Sequence, residues 1–109
     1  AKLKRDRFAY FGSDEKGGFV ETRAIRFDGN QLFINADASN GEVRVEVVNE
    51  RGRKVLEGWT QNESNPVQGD HLRAQVTWDG QKDLSTLHGQ SVRFRFRLYN
   101  ARLFSFWIR

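Results

Sequence analysis

Arginines at alternate positions dominate the chemistry this chain can do. Arg93, Arg95 and Arg97 recur through Ser91–Tyr99, with Tyr99 in the same phase and Val92, Phe94, Phe96 and Leu98 in the other. Glu42, Arg44 and Glu46 alternate likewise with Val43, Val45 and Val47, and Arg73, Gln75 and Thr77 alternate with Leu72, Ala74, Val76 and Trp78. A guanidinium offers a planar fork of donors to carboxylate, sulfate or phosphate, and it stacks on rings. Planar polar side chains beside an aromatic ring are also the means by which sugars are held, the ring packing on the C–H face of a pyranose. The candidate binding residues are therefore Arg44, Arg73, Gln75, Arg93, Arg95, Arg97 and Tyr99, together with Trp59 beside Gln61 and Asn62, and Trp107 in the terminal segment. A plainer use of the same residues is cross-strand pairing of Arg with Glu.

Catalytic chemistry is not indicated. His71 and His88 are the only histidines, and neither has a metal-ligand partner at i+2 or i+4. No nucleophile elbow, phosphate loop or dinucleotide fingerprint occurs. Glu42 and Glu46 share a phase with Arg44, so they read as ion-pair partners rather than as the two carboxylates of a glycosidase. The chain is accordingly expected not to be an enzyme and to need no cofactor. A structural calcium is the one metal considered, because turn-borne oxygens at Asp14, Glu15, Asp28, Asn30, Asn35 and Asp37 could converge, with Asp28, Asn30 and Asp37 as the candidate ligands. Nucleic acid is the competing ligand for a basic aromatic sheet. Against it, lysine is scarce, the arginines are interleaved with Glu, and no RNA-binding signature is present.

These side chains must be placed by strands. Successive strand residues point to opposite faces, so each alternating run describes a strand with one apolar and one polar face. At 109 residues the chain is one domain, and its 38% hydrophobic and 13% aromatic content suits a thin core filled by rings. The net charge is +4, a balance that favours acidic partners and equally serves solubility. There is no cysteine, hence no disulfide or thiolate zinc site. No apolar run approaches the roughly 20 residues of a membrane span. The charged opening Lys2-Leu3-Lys4-Arg5-Asp6-Arg7 reads as the start of a piece cut from a longer protein.

In chain order the pattern predicts strands over Arg7–Gly12, Phe19–Phe27, Gln31–Asp37, Glu42–Asn49, Arg53–Thr60, His71–Trp78, Val92–Tyr99 and Arg102–Ile108. Asp28-Gly29-Asn30 predicts a hairpin, Ser39-Asn40-Gly41 and Arg51-Gly52 predict turns, and Gln61–Asp70 predicts a long polar loop. Asp83 is placed to cap one helical turn over Leu84–Leu87, with Gly89 ending it. Leu72, Ala74, Val76 and Trp78 are expected to face inward. The fold class is an all-β antiparallel β-sandwich, jelly-roll-like, of about eight strands with turn signals every 8 to 12 residues or so.

Several stretches carry a resemblance. They are Arg26–Asp37 (RFDGNQLFINAD), Gly41–Val47 (GEVRVEV), Gly69-Asp70 before Val76–Gly80 (VTWDG), Asp83-Leu84-Ser85 with Leu87 and Gly89, Val92–Phe96 and Ala101–Phe106. These resemble the accessory β-sandwich modules near the C-terminus of secreted bacterial glycoside hydrolases, sulfatases and sialidase-like proteins. The likeness runs from Arg5 onward and lies in turn and core residues. It implies a secreted or periplasmic, monomeric, non-catalytic carbohydrate-binding module attached to a catalytic domain, its partner being a polysaccharide or oligosaccharide and neither membrane nor nucleic acid. The arginines point to an acidic or sulfated glycan. The alternative from another class is a structural module that packs on the neighbouring catalytic domain, with Trp107 and the Phe-rich terminal strand as its interface.

Overall fold

The alternating runs around Leu32–Ala36 and Val43–Val47 form one strand of 18 residues, β3 (Leu32–Asn49), rather than two. The protein's structure, a computed structural model, describes residues 9–14 and 17–109. Within them the other strands are β1 (Ala9–Asp14), β2 (Gly17–Thr22), β4 (Val67–Val76), β5 (Val92–Tyr99) and β6 (Arg102–Ile108). All pairings are antiparallel, in the order β1-β2-β5-β3-β4, with β6 also paired to β3. The chain is therefore all-β, with six strands among the described residues where the pattern predicted about eight.

Both missing strands have a physical cause. Ser39-Asn40-Gly41 does not end a strand; it is absorbed into β3. Arg53–Thr60 is broken up by Gly52 and Gly58, which take φ of 70° and 86°. That segment instead leans on β3 through a single bridge, Val48 to Val55, and the bonds Leu56 N–H to Val47 O (2.8 Å) and Val47 N–H to Trp59 O (3.0 Å).

One folded ribbon makes the core. Val43 pairs with β4 on one edge and β5 on the other, and Leu32–Asp37 pairs with β4 and β6, so β5 and β6 lie along the same edge of β3. Phe96 pairs with Val45 and Phe106 with Ile34, positions eleven apart on β3 and about 36 Å apart in a straight strand. Yet the Phe96 and Phe106 rings have centroids 5.1 Å apart. The ribbon must therefore fold back on itself. It does so where β3 runs from Ala38 to Val43 while β4 runs only from Gly69 to Val67, and where Asn100 takes a φ of 50°. Gly41 is required at this bend, because a Cβ there would overlap the carbonyl oxygen of Tyr99.

Between the folded halves lie Leu32, Ile34, Ala36, Val43, Val45, Val47, Phe94 and Phe96, all fully buried, with Val20, Trp59, Trp78, Leu84 and Leu87. The Trp59 and Trp78 rings meet edge to face at 5.0 Å, and the Trp78 indole N–H donates to Val45 O at 2.9 Å. The predicted turn appears as a 3-10 turn over Ser85–Leu87, with Asp83 accepting from Ser85 N–H at 2.8 Å and Gly89 following at a φ of 81°.

Three expectations need correction. The strand predicted to Phe27 stops at Thr22, and Ile25 keeps only a bridge to Val92. Asp28-Gly29-Asn30 is not a hairpin: Asn30 N–H and Gln31 N–H both donate to Arg109 O, at 2.6 and 2.9 Å, and Gly29 leaves room for that close approach. Leu72 is 82% exposed rather than inward. Between the pairs Ile34–Ala74 and Ala36–His71, β4 carries one residue more than β3, and this bulge breaks the period of two. An equivalent extra residue in β6, opposite Asn35 and Ala36, leaves Phe104 43% exposed. Among the described residues no helix is long and apolar enough to cross a membrane.

Candidate ligand-binding site

The polar side of β5 was expected to be a display surface, but most of it is a buried ladder of ion pairs. Register sets Arg95 between Glu46 of β3 and Glu21 of β2. Its guanidinium donates to Glu21 Oε1 at 2.6 Å, Glu46 Oε2 at 2.9 Å and Gly52 O at 3.1 Å. Burial alone lowers the Arg95 pKa, and the bonds and charges of Glu21 and Glu46 more than offset it, so the group is held more firmly protonated than usual.

Arg97 and Arg44 are directly opposite, an unfavourable like-charge pair. Neighbouring glutamates relieve it: Arg97 reaches Glu46 diagonally across the strands at 3.3 Å, and Arg44 Nε bonds Glu42 on its own strand. The Phe19 ring lies over Arg95 and Arg97, with centroid distances of 5.2 and 5.1 Å. Glu21, Glu46 and Arg97 are buried at 4%, 3% and 3% exposure. Arg93 donates to Glu50 O at 2.7 Å and lies 3.5 Å from Glu21. Of the arginine candidates on this face, Arg97 is thus inside the protein, and Arg93 and Arg95 are spent on glutamates and backbone.

At the Tyr99 end of β5, beside the bend, the ladder opens. There Glu42, Arg44, Gln61, Asn62 and Tyr99 line an open depression of about 340 Å³. Tyr99 arrives from β5, directly opposite Glu42 of β3. Gln61 and Asn62 come from the turn after Trp59, which is docked against β3 by Ser64: Val45 N–H donates to Ser64 Oγ at 3.1 Å, and Arg44 Nη1 reaches the carbonyls of Gln61 and Ser64, both at 3.3 Å. Thr60 and Glu63 close the turn itself through bonds of 2.9 to 3.3 Å. The Tyr99 hydroxyl donates to Gln61 Oε1 at 2.6 Å. This bond fixes the amide so that its nitrogen is the end left to donate. The depression therefore combines a half-buried phenol ring, two primary amides, a carboxylate and a guanidinium, each on a rigid support. Sequence reasoning named Arg44, Gln61, Asn62 and Tyr99 but set Glu42 aside as an ion-pair partner; its phase with Arg44 was the signal.

Other candidates fall elsewhere. Trp59, expected as a platform, is 4% exposed and belongs to the core, because Gly58 turns the chain so that the ring faces Trp78. Trp107, Arg73 and Gln75 gather on the outer face of the β4-β3-β6 half. Phe33 pairs with Gln75 and Trp107 there, stacks on Trp107 at 5.9 Å and carries the Arg73 guanidinium 4.5 Å above its ring. These three do not reach the depression.

The calcium candidates do not converge. Asn30 sits at the Arg109 end of β3, and Asp37 is six positions further along from Gln31, roughly 20 Å of regular strand. One ion binds its oxygens at about 2.3 to 2.6 Å. Asp37 is instead engaged by the Ser39 hydroxyl and N–H at 2.6 and 3.1 Å, bonds that lower its pKa. Glu15 lies outside the described residues, and among those described no group of three or more His, Cys, Asp or Glu could hold a metal ion. His71 and His88 hydrogen-bond to the carbonyls of Gln68 and Gly29, at 2.6 and 2.9 Å, and the His88 ring meets Phe27 edge to face at 5.8 Å. A larger hollow of about 460 Å³ at the bend, lined by Asp37, Ser39, Asn40, Asn100, Ala101 and Arg102, has no aromatic ring. Comparison with protein-family models, curated proteins and solved structures finds no match to this chain.

Proposed function

We propose that this chain is a non-catalytic carbohydrate-binding module, of β-sandwich type and cut from a larger secreted bacterial protein, that holds an attached polysaccharide-active enzyme on its substrate. One observation carries the reading: Tyr99, Gln61, Asn62, Arg44 and Glu42 meet in one open depression beside the bend. A sugar ring presents an apolar C–H face and a rim of hydroxyls, each both donor and acceptor. A phenol ring, two amides and a charged pair supply the matching surfaces. Tethering by such a site raises local enzyme concentration without chemistry of its own.

Affinity electrophoresis of the isolated module in gels containing single polysaccharides tests this. Retardation by a polysaccharide that is lost in Tyr99→Ala and Asn62→Ala, and kept in Leu72→Ser, is the expected result. Unchanged mobility in every gel by a folded module would sink the reading. It would favour a structural module that packs on a catalytic domain, a role to which the exposed Leu72 and Phe104 lend themselves.

A further inference from the structure

We infer that the ligand of the Tyr99 depression is a neutral, hydroxyl-rich glycan rather than a uronate or sulfated one; this rests on the carbohydrate reading above. The number of arginines points the other way, and their partners decide against it. Recognition of a carboxylate or sulfate needs a guanidinium that can turn its fork outward and a site with positive charge to spare.

Among the described residues Arg44 is the only guanidinium lining the depression, and Glu42 beside it cancels its charge. Two of its three nitrogens are also engaged within the protein: Nε bonds Glu42, and Nη1 bonds the carbonyls of Gln61 and Ser64. Arg97, the next arginine along the ladder, is buried against Glu46 under Phe19. An anionic ligand would bring a second negative charge next to Glu42. A neutral sugar meets no such repulsion. It can accept from the Gln61 and Asn62 amide nitrogens, donate to the Glu42 carboxylate and stack on Tyr99. A carboxylate accepting from sugar hydroxyls is a charge-assisted bond between a site that keeps its ion pair and a ligand that brings no counter-charge.

The experiment is equilibrium binding of the whole 109-residue module to two neutral probes, a β-glucan and a galactomannan, and two acidic ones, polygalacturonate and dextran sulfate. Each is measured from about 0.01 to 1 M ionic strength, over which the screening length falls from about 30 to 3 Å. The net charge of +4 gives any acidic polymer a background attraction that high salt removes, so the deciding signal is binding that survives. The expected result is retention by a neutral probe that salt leaves unchanged, reduced roughly tenfold in Asn62→Ala, as loss of a hydrogen bond or two predicts. Asn62 is exposed on its turn, so this variant is expected to fold.

Glu42→Gln provides a gain-of-function arm. It leaves Arg44 uncompensated and is expected to confer new retention by polygalacturonate, absent from the unaltered module in the same high salt. Retention by an acidic probe alone, persisting in high salt and lost in Asn62→Ala, overturns the neutral-ligand inference and leaves the carbohydrate reading standing. Retention by none of the probes, or only salt-labile retention indifferent to Asn62→Ala, overturns the carbohydrate reading and the inference with it.

Discussion

The Tyr99 hydroxyl lies 2.6 Å from Gln61 Oε1, joining the last residue of β5 to a turn 38 positions earlier in the chain. Because the bond uses the acceptor end of the amide, it orients Gln61 and steadies the ring at once. Tyr99→Phe keeps the ring and removes the bond. It is expected to cost about 1 kcal/mol of stability, a fall of roughly 4–8 °C in thermal midpoint, and to weaken glycan binding in the folded protein. Unaltered affinity with a lowered midpoint would mean that the orientation of Gln61 is irrelevant to the ligand.

Burial separates the ion pairs into two energetic classes. Glu46 touches both Arg95 and Arg97, and its side chain and that of Arg97 are each 4% exposed. Glu46→Ala removes a buried carboxylate that two guanidiniums share and is expected to destabilise by about 3–5 kcal/mol. The Glu42–Arg44 pair is 25% and 28% exposed, so Glu42→Gln is expected to cost at most about 1 kcal/mol. Chemical denaturation of both variants measures the contrast, and equal losses would refute it.

Trp59 is a core residue, so its removal should be felt as lost packing. Trp59→Ala is expected to cost about 3–5 kcal/mol through the cavity left against Trp78. At temperatures where the variant is still folded, glycan affinity should match that of the unaltered protein. A stable Trp59→Ala variant with lost binding would return Trp59 to the ligand surface.

Gly41 offers a test of the bend. Any Cβ at this position meets the Tyr99 carbonyl, and backbone cannot move aside as a side-chain tip can. Gly41→Ala is expected to lower stability by about 3 kcal/mol or more. Gly80→Ala, by comparison, adds a Cβ into open space and carries only the strain of its φ of 81°. The two thermal midpoints should rank accordingly.

Two serine-bound carboxylates should contribute to acid sensitivity. The Ser85 side chain and N–H hold Asp83 below the ordinary carboxylate pKa, with Lys82 and His88 adding to the effect, as Ser39 and then Arg102 do for Asp37. A lowered folded pKa means that this stabilisation is complete above the unfolded value of about 4 and is lost as pH falls through the folded one. The thermal midpoint should therefore decline below about pH 4, and less steeply in Asp83→Asn. Superimposable curves would show that the cap contributes nothing.

Taken by itself, the sequence determined what is local. A period of two marked which side of Val43–Val47 and Val92–Phe96 enters the core, and those residues are buried. Side chains that bond their own neighbours were equally legible: Asp83 caps its turn because the acceptor and Ser85 N–H are two residues apart. Tertiary structure decided what depends on register between distant segments. No local signal says that Ser39–Gly41 bends a strand instead of ending it, since that rests on Tyr99 passing close to Gly41.

Leu72 follows the inward phase in sequence and leaves it in the fold, because one extra residue against β3 reverses every facing beyond it. The arginine phase of β5 was likewise readable, but its burial was not. Glu21, Glu46, Phe19 and the Gly52 carbonyl reach it from three separate segments, and pairing energy between them exists only once the sheet is assembled. The depression shares that origin: its lining comes from β3, β5 and the turn after Trp59, which meet only because the ribbon folds.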